Sequence, residues 1–388
     1  MNKTNIDAFA AFKWFLLYLL LLLLIISGVY FFLYFQNKDT VSDVVVPKST
    51  NLGKILYSVQ KPDAMDLFIY DESTEESARI LDSSYVLMAF FNKAKKIIVS
   101  KDNQLFVYNL DNNSLEAIPF LIPQSDEYVS EISSVIPGLK QQKAIITVRK
   151  AKQKNPNEID VTSQEFLFDV EKNEVSDLTL NKQSQINFLQ DIINFDDQKD
   201  IIYSFANDIQ NGCQAPVKKY EMKKNTALIQ NDFEAINDYC PSFNNYLTEF
   251  ILLPKKPINN SNNLKLFNSL EINEQLLDIN LDLSIQEFIE DWSYDNLVWS
   301  YGDRVVYFSK GPKVYKLDID GQKTSSIFTA DKEINNYFMT ISFNDQYLYL
   351  QNRQNDDNYN LTRINLEKNE KSILVTDKYY IYPIGYFN

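Results

Sequence analysis

No histidine occurs anywhere in the 388 residues. Its absence excludes Ser-His-Asp and Cys-His catalysis, and every zinc site that relies on imidazole. Cysteine is limited to Cys213 and Cys240, too few for a disulfide framework. Glycine is nearly as scarce, at 8 residues, and no phosphate-cradling glycine loop or nucleophile elbow is present. Basic residues are outnumbered, 38 Lys and Arg against 52 Asp and Glu, for a net charge of −14. That balance disfavours nucleic acid, whose binding depends on neutralising phosphates. No catalytic residue, cofactor motif or metal-ligand cluster is marked out by spacing. Carboxylates abound, but none is singled out as an acid–base pair.

What is present starts with an oily run, Trp14 to Phe35, uncharged throughout and interrupted only by Ser27 and Gly28. As a helix it would be roughly 33 Å long, enough to cross a bilayer core of about 30 Å. Aromatic residues crowd both of its ends, where amphipathic rings favour the headgroup zone. The run is too long for a cleaved signal peptide, and no small-residue cleavage site follows Gly28, so an uncleaved signal anchor is expected. Lys3 and Lys13 precede the run and Lys38 follows it, a slight bias that places the N-terminus in the cytoplasm. The expected organisation is a short tail (1–13), a transmembrane helix (14–35), a polar linker (36–50) and an extracytoplasmic domain (51–388). An extracytoplasmic domain permits a disulfide between Cys213 and Cys240; two unpaired thiols are the alternative.

From residue 51 onward the pattern is all-β: short period-2 strands separated by Asn, Asp and Lys turns. One apolar residue recurs just ahead of a polar turn: Tyr70, Leu110, Val170, Met222, Leu270, Leu317 and Leu366. The later intervals settle at roughly 48 residues, and the longer early ones carry loop insertions. Each anchor has a partner strand ahead of it, and an aromatic sits before several of these: Phe91, Phe195, Trp299 and Phe343. The unit reads as a four-stranded antiparallel meander, which must bury both faces against neighbours. A seven-bladed β-propeller behind one transmembrane α-helix is therefore the expected fold. The first unit lacks an inner strand, and the strand-like tail Tyr379 to Phe387 is expected to supply it and close the ring.

The stretches Ile341 to Leu350 (ISFNDQYLYL) and Trp299 to Tyr307 (WSYGDRVVY) resemble the inner-strand motif of TolB-like propellers within the WD-type β-propeller superfamily. In that motif an aromatic, a Ser/Pro-Asp-Gly turn and an apolar strand recur in each blade. The resemblance implies the fold and a binding role, and it transfers no functional residue.

In four-stranded blades, the connections between second and third strands share a face with the links between blades. The longer insertions collect there, making it the expected functional surface. Arg149, Lys150, Lys152 and Lys154 fall in one insertion and Lys255 and Lys256 in another. They form candidate anion-facing groups for lipid headgroups or an acidic polymer, set against a reading as solvated lysines. Cys213 and Cys240 map to the same face. Asp318 to Gly321 resembles a calcium loop but fits a hairpin turn better. Ser284 to Trp292 has the spacing of a capped short helix. Asn112, Asn259 and Asn360 satisfy the glycosylation rule.

The functional expectation is a membrane-anchored propeller that binds or scaffolds an envelope protein or polymer. The alternatives are a carboxylate-dependent envelope enzyme acting on glycans and a subunit of a membrane complex.

Overall fold

The computed structural model describes residues 53–122, 125, 127–155, 158–178, 192–205, 217–223, 226–229, 239–254, 263–272, 274–280, 297–310, 313–329, 338–353 and 358–388. Trp14 to Phe35 and Ser284 to Trp292 lie outside these residues. Among the described residues no helix is long and apolar enough to cross a membrane.

Seven four-stranded antiparallel sheets account for the described residues. Blade 1 holds β1 (Lys54–Lys61), β2 (Ala64–Asp71) and β3 (Glu76–Leu81). Blade 2 holds β4 (Val86–Phe91), β5 (Lys96–Lys101), β6 (Gln104–Asn109) and β7 (Ser114–Ala117). Blade 3 holds β8 (Val129–Pro137), β9 (Lys143–Asn155), β10 (Glu158–Asp169) and β11 (Glu174–Asp177). Blade 4 holds β12 (Ile192–Asp196), β13 (Ile201–Phe205), β14 (Val217–Glu221) and β15 (Thr226–Ile229). Blade 5 holds β16 (Tyr239–Phe243), β17 (Glu249–Pro254), β18 (Asn263–Asn268) and β19 (Gln275–Asn280). Blade 6 holds β20 (Leu297–Trp299), β21 (Val305–Lys310), β22 (Lys313–Asp318) and β23 (Lys323–Thr329). Blade 7 holds β24 (Met339–Ile341), β25 (Tyr347–Arg353), β26 (Tyr359–Asn365) and β27 (Glu370–Asp377).

The last strand, β28 (Tyr380–Phe387), does not start an eighth sheet. It pairs antiparallel with β1, from Lys54 opposite Phe387 to Gln60 opposite Tyr380, and takes the innermost place in blade 1. The C-terminal tail thus supplies the missing strand, as its sequence suggested. The two ends of the domain are joined by a ladder that leaves no open sheet edge at the closure.

Hydrophobic clusters fill the seams, and each joins one blade to the next. Ile251 and Leu266 of blade 5 meet Trp299 and Phe308 of blade 6. Leu348 and Leu350 of blade 7 meet Tyr307 of blade 6. Tyr349 and Leu361 of blade 7 meet Ile55, Tyr57 and Ile381 of blade 1 across the closing seam. This arrangement explains the strand sequences. Second strands are packed on both faces, so they read as unbroken apolar runs such as Ile97-Ile98-Val99. Fourth strands face solvent, and β7 and β11 are almost wholly exposed or half-buried.

The turns show how the chain manages with little glycine. Six of the seven third strands end in Asp or Asn, and the side chain accepts a backbone N–H two or three residues on. Asp71 does so from Ser73, Asn109 from Asp111, Asp169 from Glu171 and Asn365 from Glu367. The following left-handed position is held by Asn113, Asn173 and Asn369 at φ of 57°, 55° and 57°. Asparagine tolerates that region better than most non-glycine residues. Three of the periodic anchor residues directly follow these caps, whereas Tyr70 and Leu317 precede theirs. Leu110 N–H donates to Lys95 O (2.9 Å), Val170 N–H to Gln142 O (2.9 Å) and Leu366 N–H to Gln346 O (2.9 Å). One hydrogen bond thus ties the end of the third strand to the start of the second in several blades, which gives the repeat its sequence signal.

Candidate functional site

The two faces of the ring differ. Inner strands run from the face carrying the inter-blade links (the loop face) to the face carrying their hairpin turns (the turn face). Gly53 and the start of β1 lie on the turn face.

Along the channel axis, the turn face is bridged. Tyr301 of blade 6 accepts a hydrogen bond at its hydroxyl from Asn92 Nδ2 of blade 2 (3.2 Å), although two blades separate them around the ring. Gln141 of blade 3 donates in turn to Asn92 Oδ1, and its own Oε1 accepts from Lys93 N–H (2.7 Å). Tyr246 of blade 5 donates to Tyr301 O (2.6 Å). Phe343 of blade 7 meets Tyr301 edge-to-face, with centroids 5.1 Å apart, and meets Tyr386 of blade 1 the same way at 5.7 Å. Asp197 of blade 4 accepts from Lys140, Gln142 and Lys143 N–H, capping the blade 3 turn. Burial pushes the Tyr301 hydroxyl up to about 12, so it stays protonated in this network. The channel is closed at this end.

At the loop face it opens into a cavity of about 590 Å³. Leu87, Leu297, Phe338 and Met339 line it from the first residues of inner strands, with Tyr382, Pro383 and Ile384 from β28. Ser58, Gln60 and Met65 extend it between blades 1 and 2. It is a space left where the apolar row of β1 turns polar. Leu56 is packed into the seam with blade 2, whereas Ser58 and Gln60, next on the same side, are too small or too polar to fill it. The volume lies in the range of small-ligand sites, and the mainly apolar lining with a few polar groups is typical of them. Among the described residues no carboxylate, amine or guanidinium lines it.

The sequence-derived candidates lie elsewhere. The insertion with Arg149, Lys150, Lys152 and Lys154 is not a loop: β9 and β10 continue through it as one hairpin, paired out to Asn155 opposite Glu158. Two of its cations already have partners. Lys152 Nζ lies 2.8 Å from Glu127 Oε2, and Lys150 Nζ donates to Gln164 Oε1 (2.6 Å) over the Tyr128 ring. Arg149 is exposed at the side of the ladder. Lys255, Lys256 and Cys213 lie outside the described residues, and Cys240 is described only as backbone within β16. Asp318 to Gly321 is a hairpin turn, with Gly321 N–H donating to Asp318 Oδ1 (3.0 Å). Among the described residues no group of Asp, Glu, Cys or His is placed to hold a metal. Asn112 sits in an exposed turn, whereas Asn360 is 0% exposed and cannot accept a glycan. Asn259 lies outside the described residues.

One carboxyl in blade 3 is unusual. Glu165 stands opposite Thr147 in the blade 3 ladder, with its Oε1 buried and without a hydrogen-bond partner. Burial raises it to about 7. The folded state therefore holds the proton more tightly than the unfolded chain. The stabilisation from that proton is complete below the ordinary carboxylate pKa of about 4.5 and is lost as pH rises through about 7. Burial pulls the Lys218 amine down to about 8. That shift has the opposite pH dependence, so only a variant isolates the carboxyl. Glu165→Gln is expected to leave urea stability unchanged at pH 4 and to raise it by roughly 2–3 kcal/mol at pH 8. An equal effect at both pH values would refute the assignment.

No family model and no curated protein matches the chain. Solved structures do. A puromycin hydrolase (S511A mutant complexed with PGG) is similar over 83% of this chain and 52% of its own, at 8% identity and a TM-score of 0.55. The dihydro-heme d1 dehydrogenase NirN in complex with DHE is similar over 88% and 76%, at 9% identity and 0.50. TolB from Acinetobacter baumannii is similar over 90% and 71%, at 11% identity and 0.43.

The chain is a seven-bladed β-propeller.

At these identities the likeness is one of fold alone. The chain spans about half the length of the puromycin hydrolase. Among the described residues the channel is bridged at the turn face and has an uncharged, partly aromatic lining at the loop face. Sequence reasoning chose the loop face but missed the cavity. The available signal was the Leu56, Ser58, Gln60 row, where an otherwise apolar strand face becomes polar.

Proposed function

We propose that this propeller is a binding module of the cell envelope, tethered by Trp14 to Phe35 with its N-terminus in the cytoplasm and its ring extracytoplasmic. The uncharged 22-residue run supports the tether. The observation that carries the binding reading is the cavity at the loop face, large enough for a ligand and lined by uncharged side chains among the described residues. Among the described residues its lining holds no acid pair, so it lends the glycan-hydrolase alternative no support. The partner is an envelope protein or polymer that inserts an uncharged portion into the cavity.

Photo-crosslinking tests this reading. Benzoylphenylalanine in place of Phe338, in the lining, is expected to give discrete adducts in the membrane fraction of irradiated cells. The same group in place of Leu276, on the exposed fourth strand of blade 5, is expected to give none. Adducts that are absent at 338, or identical at both positions, would remove the cavity from the functional account.

A further inference from the structure

Polar groups in the cavity lining and Tyr380 beside it specify a ligand class. Tyr380 and Tyr382 lie on one side of β28, two residues apart, with rings parallel to within 7° and centroids 6.1 Å apart. Opposite them on β1 stand Gln60 and Ser58, paired with Tyr380 and Tyr382 respectively. Phe338 completes the run, meeting Tyr382 edge-to-face at 4.4 Å. Tyr359 packs behind Tyr380 at 4.2 Å. Tyr380 stands outside the lining and is 48% exposed, so the run leads from solvent to Tyr382 in the cavity wall.

None of the side-chain polar atoms of Ser58, Gln60, Tyr380 or Tyr382 has a hydrogen-bond partner among the described residues. Hydroxyls and a primary amide both donate and accept. A hydrocarbon ligand would strand these groups on burial, at a cost of about 1–3 kcal/mol each. A phosphate, carboxylate or ammonium would find no counter-charge among the described lining residues. The fitting ligand is neutral, rich in groups that both donate and accept, and flat enough to lie on aromatic rings. We propose that the cavity binds a neutral sugar chain, stacked on Tyr380 and Tyr382 with its hydroxyls paired to Gln60 and Ser58. This proposal rests on the cavity as the binding site and adds the chemistry of its occupant.

The test titrates the full-length chain, in a detergent without a sugar headgroup, with neutral hexasaccharides: the N-acetylglucosamine hexamer, cellohexaose and maltohexaose. Oligogalacturonate and an Ala-Gly hexapeptide are the comparators. At least one neutral sugar is expected to bind more tightly than about 1 mM, with saturation transfer to ring C–H protons, while oligogalacturonate does not bind. Tyr380→Ala should weaken that binding about tenfold and Tyr380→Phe less than threefold, since stacking survives in the second. Both variants should keep the parental melting temperature because the residue is half-exposed. Failure of all three sugars to bind, or sugar binding indifferent to Tyr380→Ala, would overturn the proposal. Saturable hexapeptide binding lost in Tyr380→Ala would also overturn it, while leaving the cavity reading in place.

Discussion

Truncation after Asp377 is expected to abolish the folded monomer. The missing segment includes all of β28, whose ladder with β1 closes the ring. Ile381 (0% exposed), Tyr386 (4%) and Phe387 (2%) belong to the seams on either side of blade 1. Burying each such side chain contributes about 1.5–3 kcal/mol, and a domain's total stability is only about 5–15 kcal/mol. The loss of packing, together with the bared edge of β1, exceeds what the remaining seams can offset. Circular dichroism melts and size exclusion should show an unfolded or aggregated chain. Deletion of the exposed Asn388 alone should change neither measurement, and a synthetic 378–388 peptide should restore a cooperative melt. A truncated monomer with the parental melting temperature would show that closure lies elsewhere.

The second large effect is expected at the same seam. Glu72 projects from blade 1 with its side chain 0% exposed and forms a 2.9 Å ion pair with Arg363 of blade 7. Arg363 also donates to Ser372 Oγ (3.2 Å) and lies over the Tyr347 ring, 5.0 Å from its centroid. Replacing the guanidinium with an apolar chain would leave a carboxylate buried without its counter-charge. Breaking a buried pair in this way costs about 3–5 kcal/mol, whereas removing both charges is often neutral. Arg363→Met should therefore lower urea stability by roughly that amount, and adding Glu72→Leu should recover most of it. If the double variant were no more stable than the single, the loss would be one of packing rather than of charge.

These effects also explain what could be read from the chain and what could not. The repeat was legible because second strands are buried on both faces and third strands end in Asn or Asp caps. The first recurs around the ring and the second in every blade but the fourth, whose third strand ends in Glu221, so they appear as a period. The tail's role was legible because blade 1 lacked one strand and one strand was left over. The blade 3 hairpin was not legible. β8 pairs with it only as far as Ala151, beyond which two strands continue alone; Arg149 to Asn155 carries no alternation of apolar and polar residues, and a polar ladder looks like a loop. The channel floor was equally hidden. Asn92, Gln141, Tyr246 and Tyr301 come from four blades at unequal turn positions, and only the closed ring brings them together. The cavity is a local departure from the repeat, and averaging over blades erases such departures.

The bridged floor has one further consequence. A ring with an open bore could sit on a polymer like a bead on a string and slide along it. This ring cannot, because Tyr301 and Asn92 meet across the bore. Whatever enters must leave by the mouth it came in through. The well can therefore accept a free end or a side branch, but never the middle of an unbroken chain. If the proposed partner is a long polymer, occupancy would follow the number of its ends rather than its mass, and cutting it would raise binding.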